Sequence, residues 1–188
     1  MKWNQSFRFA NIDEFWGFDP ISYNRIFAGV LKPETADMVE VGSEWWSDRA
    51  NLQLAVFRTV SRNEIRYNPT TYYNTNSDSN IRRQGIAFDS SFRMNSALTI
   101  AGGGKVQQSV YFNGADRGNT ISLVPDLTLN ARFSIKLNEN AALGGSVVYF
   151  GSQRYDADPS LINALDRMPA YSLSDLYLTY KQGLWEFK

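Results

Sequence analysis

Between Leu127 and Leu137 every odd residue is apolar, and every even residue is Thr, Asn, Arg, Ser or Lys. Successive side chains on a β-strand point to opposite faces, so this segment has one dry face and one face carrying both charges. The same zigzag recurs. In Leu98–Phe112, Leu98, Ile100, Gly102, Gly104, Val106, Val110 and Phe112 share a face with Gln108, opposite Thr99, Lys105, Gln107, Ser109 and Tyr111. In Ile86–Arg93, Ile86, Phe88 and Phe92 oppose Asp89, Ser91 and Arg93, and in Val39–Trp46, Val39, Val41 and Trp45 oppose Glu40 and Glu44. Helical periodicity is weak throughout. The chain is therefore all-β.

Alternation alone also suits a soluble sandwich with one face buried. Strand length and the spacing of turns separate the two. The extended runs cover 36–46, 49–66, 81–93, 97–112, 122–137, 140–152, 170–181 and a start at 184, giving about eight strands. Ordinary strands run about 5–6 residues, whereas strands that cross a membrane at a tilt need about 9–11. Short turns at Trp46–Arg49, Met94–Ser96, Asn138–Asn140 and Gln182–Gly183 alternate with long polar loops at 67–80, 113–121 and 153–169. Tight turns at one end and large loops at the other are the wiring of an antiparallel up-and-down transmembrane β-barrel; Greek-key sandwiches have no reason to obey it. Residues 1–35 show no sustained alternation and read as an external loop region with room for a short strand at 4–10, and 36–188 as barrel strands.

Composition narrows the chemistry. Among 188 residues there is no His and no Cys, which removes the commonest general base, the commonest metal ligand and any disulfide or thiolate site. Nineteen basic and nineteen acidic residues balance to a formal charge of zero, unlike a protein built to hold nucleic acid. No run approaches the roughly 20 apolar residues of a membrane helix, and Met1–Arg8 is unlike a secretory signal. Aromatic residues make up 14%. Trp45 and Trp46 lie beside a short turn, and Tyr67, Tyr111, Phe112, Tyr149, Phe150 and Tyr171 lie near long-loop ends, where two interfacial girdles would place them. Cross-strand packing in any sheet is the alternative.

Few residues suggest a site. Gly102-Gly103-Gly104-Lys105 lacks the Ser or Thr and the following helix of a phosphate loop, and strand glycines that relieve curvature explain it better. Asp156, Asp158 and Asp166 lack the glycine turn and closing Glu of a calcium loop, so no metal site is expected. Asp13, Glu14 and Asp19 have no spacing that pairs them for acid–base work. Neither an enzyme nor a cofactor is expected. The loop residues Trp16, Tyr72, Tyr73, Arg117, Arg154 and Tyr155 suit an external site for an anionic chelate, because guanidinium pairs with carboxylate or catecholate oxygens and flat rings stack on flat ligands. Exposed loop residues without a ligand are the competing reading.

Several stretches resemble the TonB-dependent receptors of Gram-negative outer membranes, in the C-terminal part of their barrel. Leu31-Lys32-Pro33-Glu34-Thr35 followed by Val39-Glu40-Val41-Gly42 is similar to the family's "LKPET…YEIG" signature. Phe7–Gly17 resembles an external segment after an Arg-aromatic strand end. Arg83-Gln84-Gly85-Ile86-Ala87-Phe88 resembles an "R-x-G-x-E" strand opening, with Ala87 where Glu is usual. Val124-Pro125, Gly151–Tyr155 and Met168–Tyr180 follow in the expected order. The resemblance implies an outer-membrane receptor that imports a scarce metal chelate, usually a ferric siderophore, with a plug inside about 22 strands and a periplasm-spanning energy-coupling partner. Since no plug or coupling segment is matched, the chain is expected to be a fragment, a partial barrel lying in outer-membrane lipid. A self-contained eight-stranded barrel with a structural or adhesive role, and a secreted β-sandwich that binds glycans, are the alternatives.

Overall fold

The computed structural model describes residues 1–68, 70–155, 167–182 and 185–187. Nine strands form one antiparallel sheet in strict chain order, each hydrogen-bonded to the next. They are β1 (Lys2–Arg8), β2 (Glu34–Trp46), β3 (Ala50–Arg62), β4 (Ile81–Arg93), β5 (Leu98–Tyr111), β6 (Leu127–Lys136), β7 (Ala141–Phe150), β8 (Tyr171–Gln182) and β9 (Trp185–Phe187). The order is that of an up-and-down barrel wall, left open among the described residues, where β1 pairs with β2 and β9 with β8 alone. Tight turns at 47–49, 94–97 and 137–140 share one end, and the connections 9–33, 63–80, 112–126 and 151–170 share the other. Two of the tight turns are built alike: the Asn95 and Asn138 side chains each accept two backbone N–H bonds at 2.8 Å, from Ala97 and Leu98 and from Asn140 and Ala141.

The register shows which faces belong together. Residues directly opposed across an antiparallel pair point to the same side. One row runs Val41–Val56–Ile86–Val106–Leu127, another Ser43–Leu54–Phe88–Gly104–Leu129–Tyr149–Ser172, and a third Ala50–Phe92–Ile100–Phe133–Gly145–Leu176. The apolar series read separately on four segments thus fall on one continuous face. Five such rows, down to Leu98–Ile135–Leu143–Leu178, hold no charged residue. They span about 27 Å along the strands, or about 20 Å after a roughly 40° tilt, close to the roughly 25 Å band of a membrane barrel. The reverse face carries Glu44, Asp89, Lys105, Arg132 and Asp175, with Gln53 donating to Glu44 at 2.8 Å.

No second layer covers the apolar face among the described residues; Leu129, at its centre, is 38% exposed. A sandwich is thereby set aside. Burial gathers instead on the polar face near the long loops, where Ile81 and Ser109 are fully enclosed and Ile81, Tyr111 and Ile121 form a small core with Val124 packed against it. The chain's own loops fold onto this side, which makes it the inside of the wall.

Four details differ from the sequence reading. Residues 2–8, within the stretch read as an external loop region, pair with 34–40 as the first wall strand. The run 49–66 is broken at Asn63, whose φ of 57° is left-handed, and residues 65–68 instead pair with 73–76 in a separate ribbon. The run 122–137 becomes a strand only at Leu127, after Leu123 (φ 59°) and Pro125 have turned the chain. The aromatic girdle is also thinner than the spacing suggests. Trp45 and Tyr149 face outward, but Trp46, Tyr111, Phe150 and Tyr171 face inward by register, and Phe150 stacks on Tyr171 with ring centroids 5.1 Å apart.

Candidate functional site: the layer of long loops

The four long connections form one layer because each is tied to its neighbour. Asn11 opens a short 3-10 turn, Ile12–Phe15, with a reciprocal cap: its side chain accepts from Glu14 N–H at 2.9 Å while the Glu14 carboxylate accepts from Asn11 N–H at 2.8 Å. Arg8 links this turn to the wall. Its guanidinium donates to Glu14 at 2.7 Å and makes a two-pronged pair with Glu34 at 2.8 Å on the adjacent strand. That contact holds the Glu14 carboxyl below the usual carboxylate range.

Loop 9–33 is tied to loop 63–80 by Asn76, which accepts from Lys32 N–H at 2.7 Å and donates to the carbonyls of Lys32 and Asn63. Asn74 donates to the Glu14 carbonyl at 3.0 Å, and Phe18 N–H to the Tyr72 carbonyl at 3.2 Å. Gly17 permits this approach, since a Cβ there would sit 2.0 Å from the Tyr72 oxygen. Loop 63–80 is tied to loop 112–126 by the Arg66–Asp116 pair at 3.0 Å, with Arg66 also 5.7 Å above the Tyr111 ring. Loop 112–126 is tied to loop 151–170 by Leu123 N–H donating to the Arg154 carbonyl at 2.9 Å. Between the ties sits Glu64, whose carboxyl is pushed up by burial, the Arg83 charge acting against the shift.

The six residues singled out from sequence fall into two groups. Trp16 lies on a ribbon formed by 16–18 and 25–27, its ring 5.3 Å from Phe27, and this ribbon sits against Tyr72 and Tyr73. Tyr72 occupies the left-handed region (φ 60°), which a non-glycine residue adopts only when its surroundings hold it there. On the other side, Arg154 is buried in the ribbon 153–154/167–168, Tyr155 beside it is exposed, and Arg117 is exposed on loop 112–126. Phe18, Tyr23 and Phe27 are exposed aromatics on the first loop that the sequence reading passed over; their nearness to Trp16 was its available signal.

Glu14 is engaged by Arg8, and Asp19 accepts from Ile21 N–H and the Ser22 hydroxyl, which hold its carboxyl below the usual range. Gly102–Lys105 lies in mid-strand, where Phe88 and Leu129 close over Gly104 so tightly that a Cβ would meet Leu129 at 2.6 Å. No cluster of metal-ligating side chains occurs among the described residues. Asp156, Asp158 and Asp166 lie outside the described residues. Exposed rings and a few cations on a stitched loop layer can stack on and neutralise a flat anionic ligand.

A family profile described as TonB dependent receptor-like, beta-barrel, matches residues 1–186. Among solved structures, the chain is similar to the ferric yersiniabactin uptake receptor FyuA from Yersinia pestis (TM-score 0.70, 17% identity, 95% of this chain and 26% of that one). It is similar also to the siderophore receptor PiuA from Acinetobacter baumannii (0.69, 20%, 97% and 27%) and to the copper transporter OprC (0.69, 14%, 95% and 28%). The chain thus spans about a quarter of the length of these structures. None of the curated proteins compared with it matches.

Proposed function

Since this chain belongs to the TonB-dependent receptor β-barrel family, we propose that it is part of the wall and external loops of an outer-membrane receptor for energy-coupled uptake of a metal chelate, a ferric siderophore in first place. One observation carries the reading. The register turns an uncharged, five-row apolar face to one side, and the small core of Ile81, Tyr111 and the loop residue Ile121 lies on the other. A wall between lipid and a watery bore has this build. The partners of such a wall are outer-membrane lipid, a plug in the bore, a periplasm-spanning energy-coupling protein and the chelate itself. Trp16, Tyr72 and Tyr73 on one side, and Arg117 and Tyr155 on the other, are the proposed ligand-facing groups, with the buried Arg154 supporting Tyr155 from behind. Binding and energy-driven import call for no catalytic residue.

The test is uptake of radiolabelled iron, as catecholate and hydroxamate chelates, by cells that depend on the complete receptor under iron limitation. Uptake that stops when the proton-motive force is collapsed, and that drops when Trp16 and Tyr72 are both changed to Ala, supports the proposal. Unchanged iron uptake without the receptor, together with receptor-dependent copper accumulation, would replace the siderophore reading with a copper one, the metal in the name of one structural neighbour.

A further inference from the structure

The outward face does not end at the top apolar row. The next two rows toward the loops read Val39–Arg58–Gln84–Gln108 and Asp37–Val60–Arg82–Val110. Arg62 lies one same-face step beyond Val60. Arg58 and Arg62 therefore flank Val60 along β3, while Arg82 stands directly across from it on β4. Opposed residues have Cβ atoms about 5 Å apart and diagonal ones about 7–8 Å, so three long guanidinium stems can converge on one group.

The charge of this triangle is not cancelled. Arg62 pairs with Asp37, but among the described residues neither Arg58 nor Arg82 has an ion-pair partner. Arg82 Nε is buried and has no hydrogen-bond partner. The terminal nitrogens of the fork are therefore what Arg82 can offer an anionic acceptor. Immediately below, the face forms a shallow trough lined by Val39, Val41, Val56, Ile86 and Val106, with Arg58, Gln84 and Gln108 at its upper rim. A cationic rim above an apolar trough is complementary to an amphiphile with an acidic head.

We propose that Arg58 and Arg82, with the Asp37-paired Arg62 beside them, bind the phosphate of an acidic lipid whose acyl chains lie in this trough. Guanidinium forks suit phosphate oxygens in a two-pronged geometry. The assignment rests on the proposed wall, with this face turned to lipid; on the other facing, Arg83 rather than Arg82 would meet the headgroups. A free phosphate has no use for the trough, which is why the site is assigned to a lipid.

The experiment takes the complete receptor in dodecyl maltoside micelles and counts bound lipid by native mass spectrometry. The probes are bis-phosphorylated lipid A, the same glycolipid with its phosphates removed, and inorganic phosphate. The unmodified receptor is expected to retain lipid A and not the dephosphorylated form. Each basic residue beside an anionic headgroup layer is worth about fivefold, so the Arg58→Gln/Arg82→Gln double variant should bind lipid A about thirtyfold more weakly. Arg58→Lys keeps the charge but loses the fork, so it should bind more weakly than the unmodified receptor and more tightly than Arg58→Gln. Arg83→Gln, one residue away on the inward face, should keep all of the binding. Should the double variant lose its heat-modifiable, folded migration, each single Gln variant is read instead, at about fivefold. Equal lipid A binding by folded variants and the unmodified receptor overturns the lipid site alone. Inorganic phosphate that displaces lipid A overturns the lipid as its source. Loss of binding in Arg83→Gln but not in Arg82→Gln overturns the facing, and the proposed wall with it.

Discussion

The half of the sheet near the tight turns and the half near the long loops are built on different terms. Toward the tight turns the wall buries little against itself: Trp45, Leu52, Phe92 and Leu176 are exposed on one face, and polar groups such as Arg132 and Asp175 stand on the other. Toward the loops, Ile65, Ile81, Tyr111 and Ile121 are enclosed, and buried Ser77, Ser79, Gln107, Ser109 and Arg154 accompany them. The first half is a surface waiting for two solvents, oily outside and wet inside. The second half supplies its own core. Burial of apolar area drives folding in both, but in the lower half the burying medium is not this polypeptide.

The largest expected effect sharpens that division. Ile81→Ala removes a fully enclosed side chain and should destabilise the complete receptor by about 2–5 kcal/mol, whether unfolded from micelles or from bilayers. Leu129→Arg comes next, at about 2–4 kcal/mol when unfolding is followed in bilayers, because the charge then sits in hydrocarbon. Arg132→Gln, three residues on and facing the bore, should cost far less; equal losses for the two would break the division between faces. Gly144→Ala is third. Its Cβ would meet the outer end of the half-exposed Tyr177 ring at 2.3 Å, which the ring relieves by swinging toward the bore, so the loss in urea titrations should stay below about 1 kcal/mol.

The smallest effects lie in the loop layer and depend on pH. Glu14 has its carboxyl depressed by Arg8, so its contribution is present above the ordinary carboxylate range and is lost as pH falls through the depressed value. Glu64 has its carboxyl raised by burial, so its contribution is fully present below the ordinary range and declines as pH rises through the raised value. Hydrogen-exchange protection of loops 9–33 and 63–80, followed between mildly acidic and neutral pH, should therefore fall for Glu14→Gln at neutral pH and rise for Glu64→Gln. Matching changes in both variants would remove the opposed assignments.

What the sequence disclosed follows the reach of its signals. Period-two alternation is local, so Leu127–Leu137 and Leu98–Phe112 announced their faces without help. The tight turns were legible because Asn95 and Asn138 satisfy backbone donors within three residues. The Arg8–Glu34 fork joins residues 26 apart, and the core of Ile81, Tyr111 and Ile121 joins two strands and a loop; neither leaves a local pattern. Girdle placement was misread for Tyr111, Phe150 and Tyr171 because distance from a turn was read without parity. The six proposed loop residues were chosen by type, and type does not distinguish Arg154, which is buried, from Arg117, which is exposed.

The stitching of the loops also governs how this surface can diverge. Asn76 alone fastens Lys32 and Asn63, and Arg66 with Asp116 fastens the next pair of connections. Inserted residues or new side chains are thereby accommodated where no fastening is anchored, around 19–24, whereas a change at Asn76, Arg66 or Asp116 loosens two connections at once.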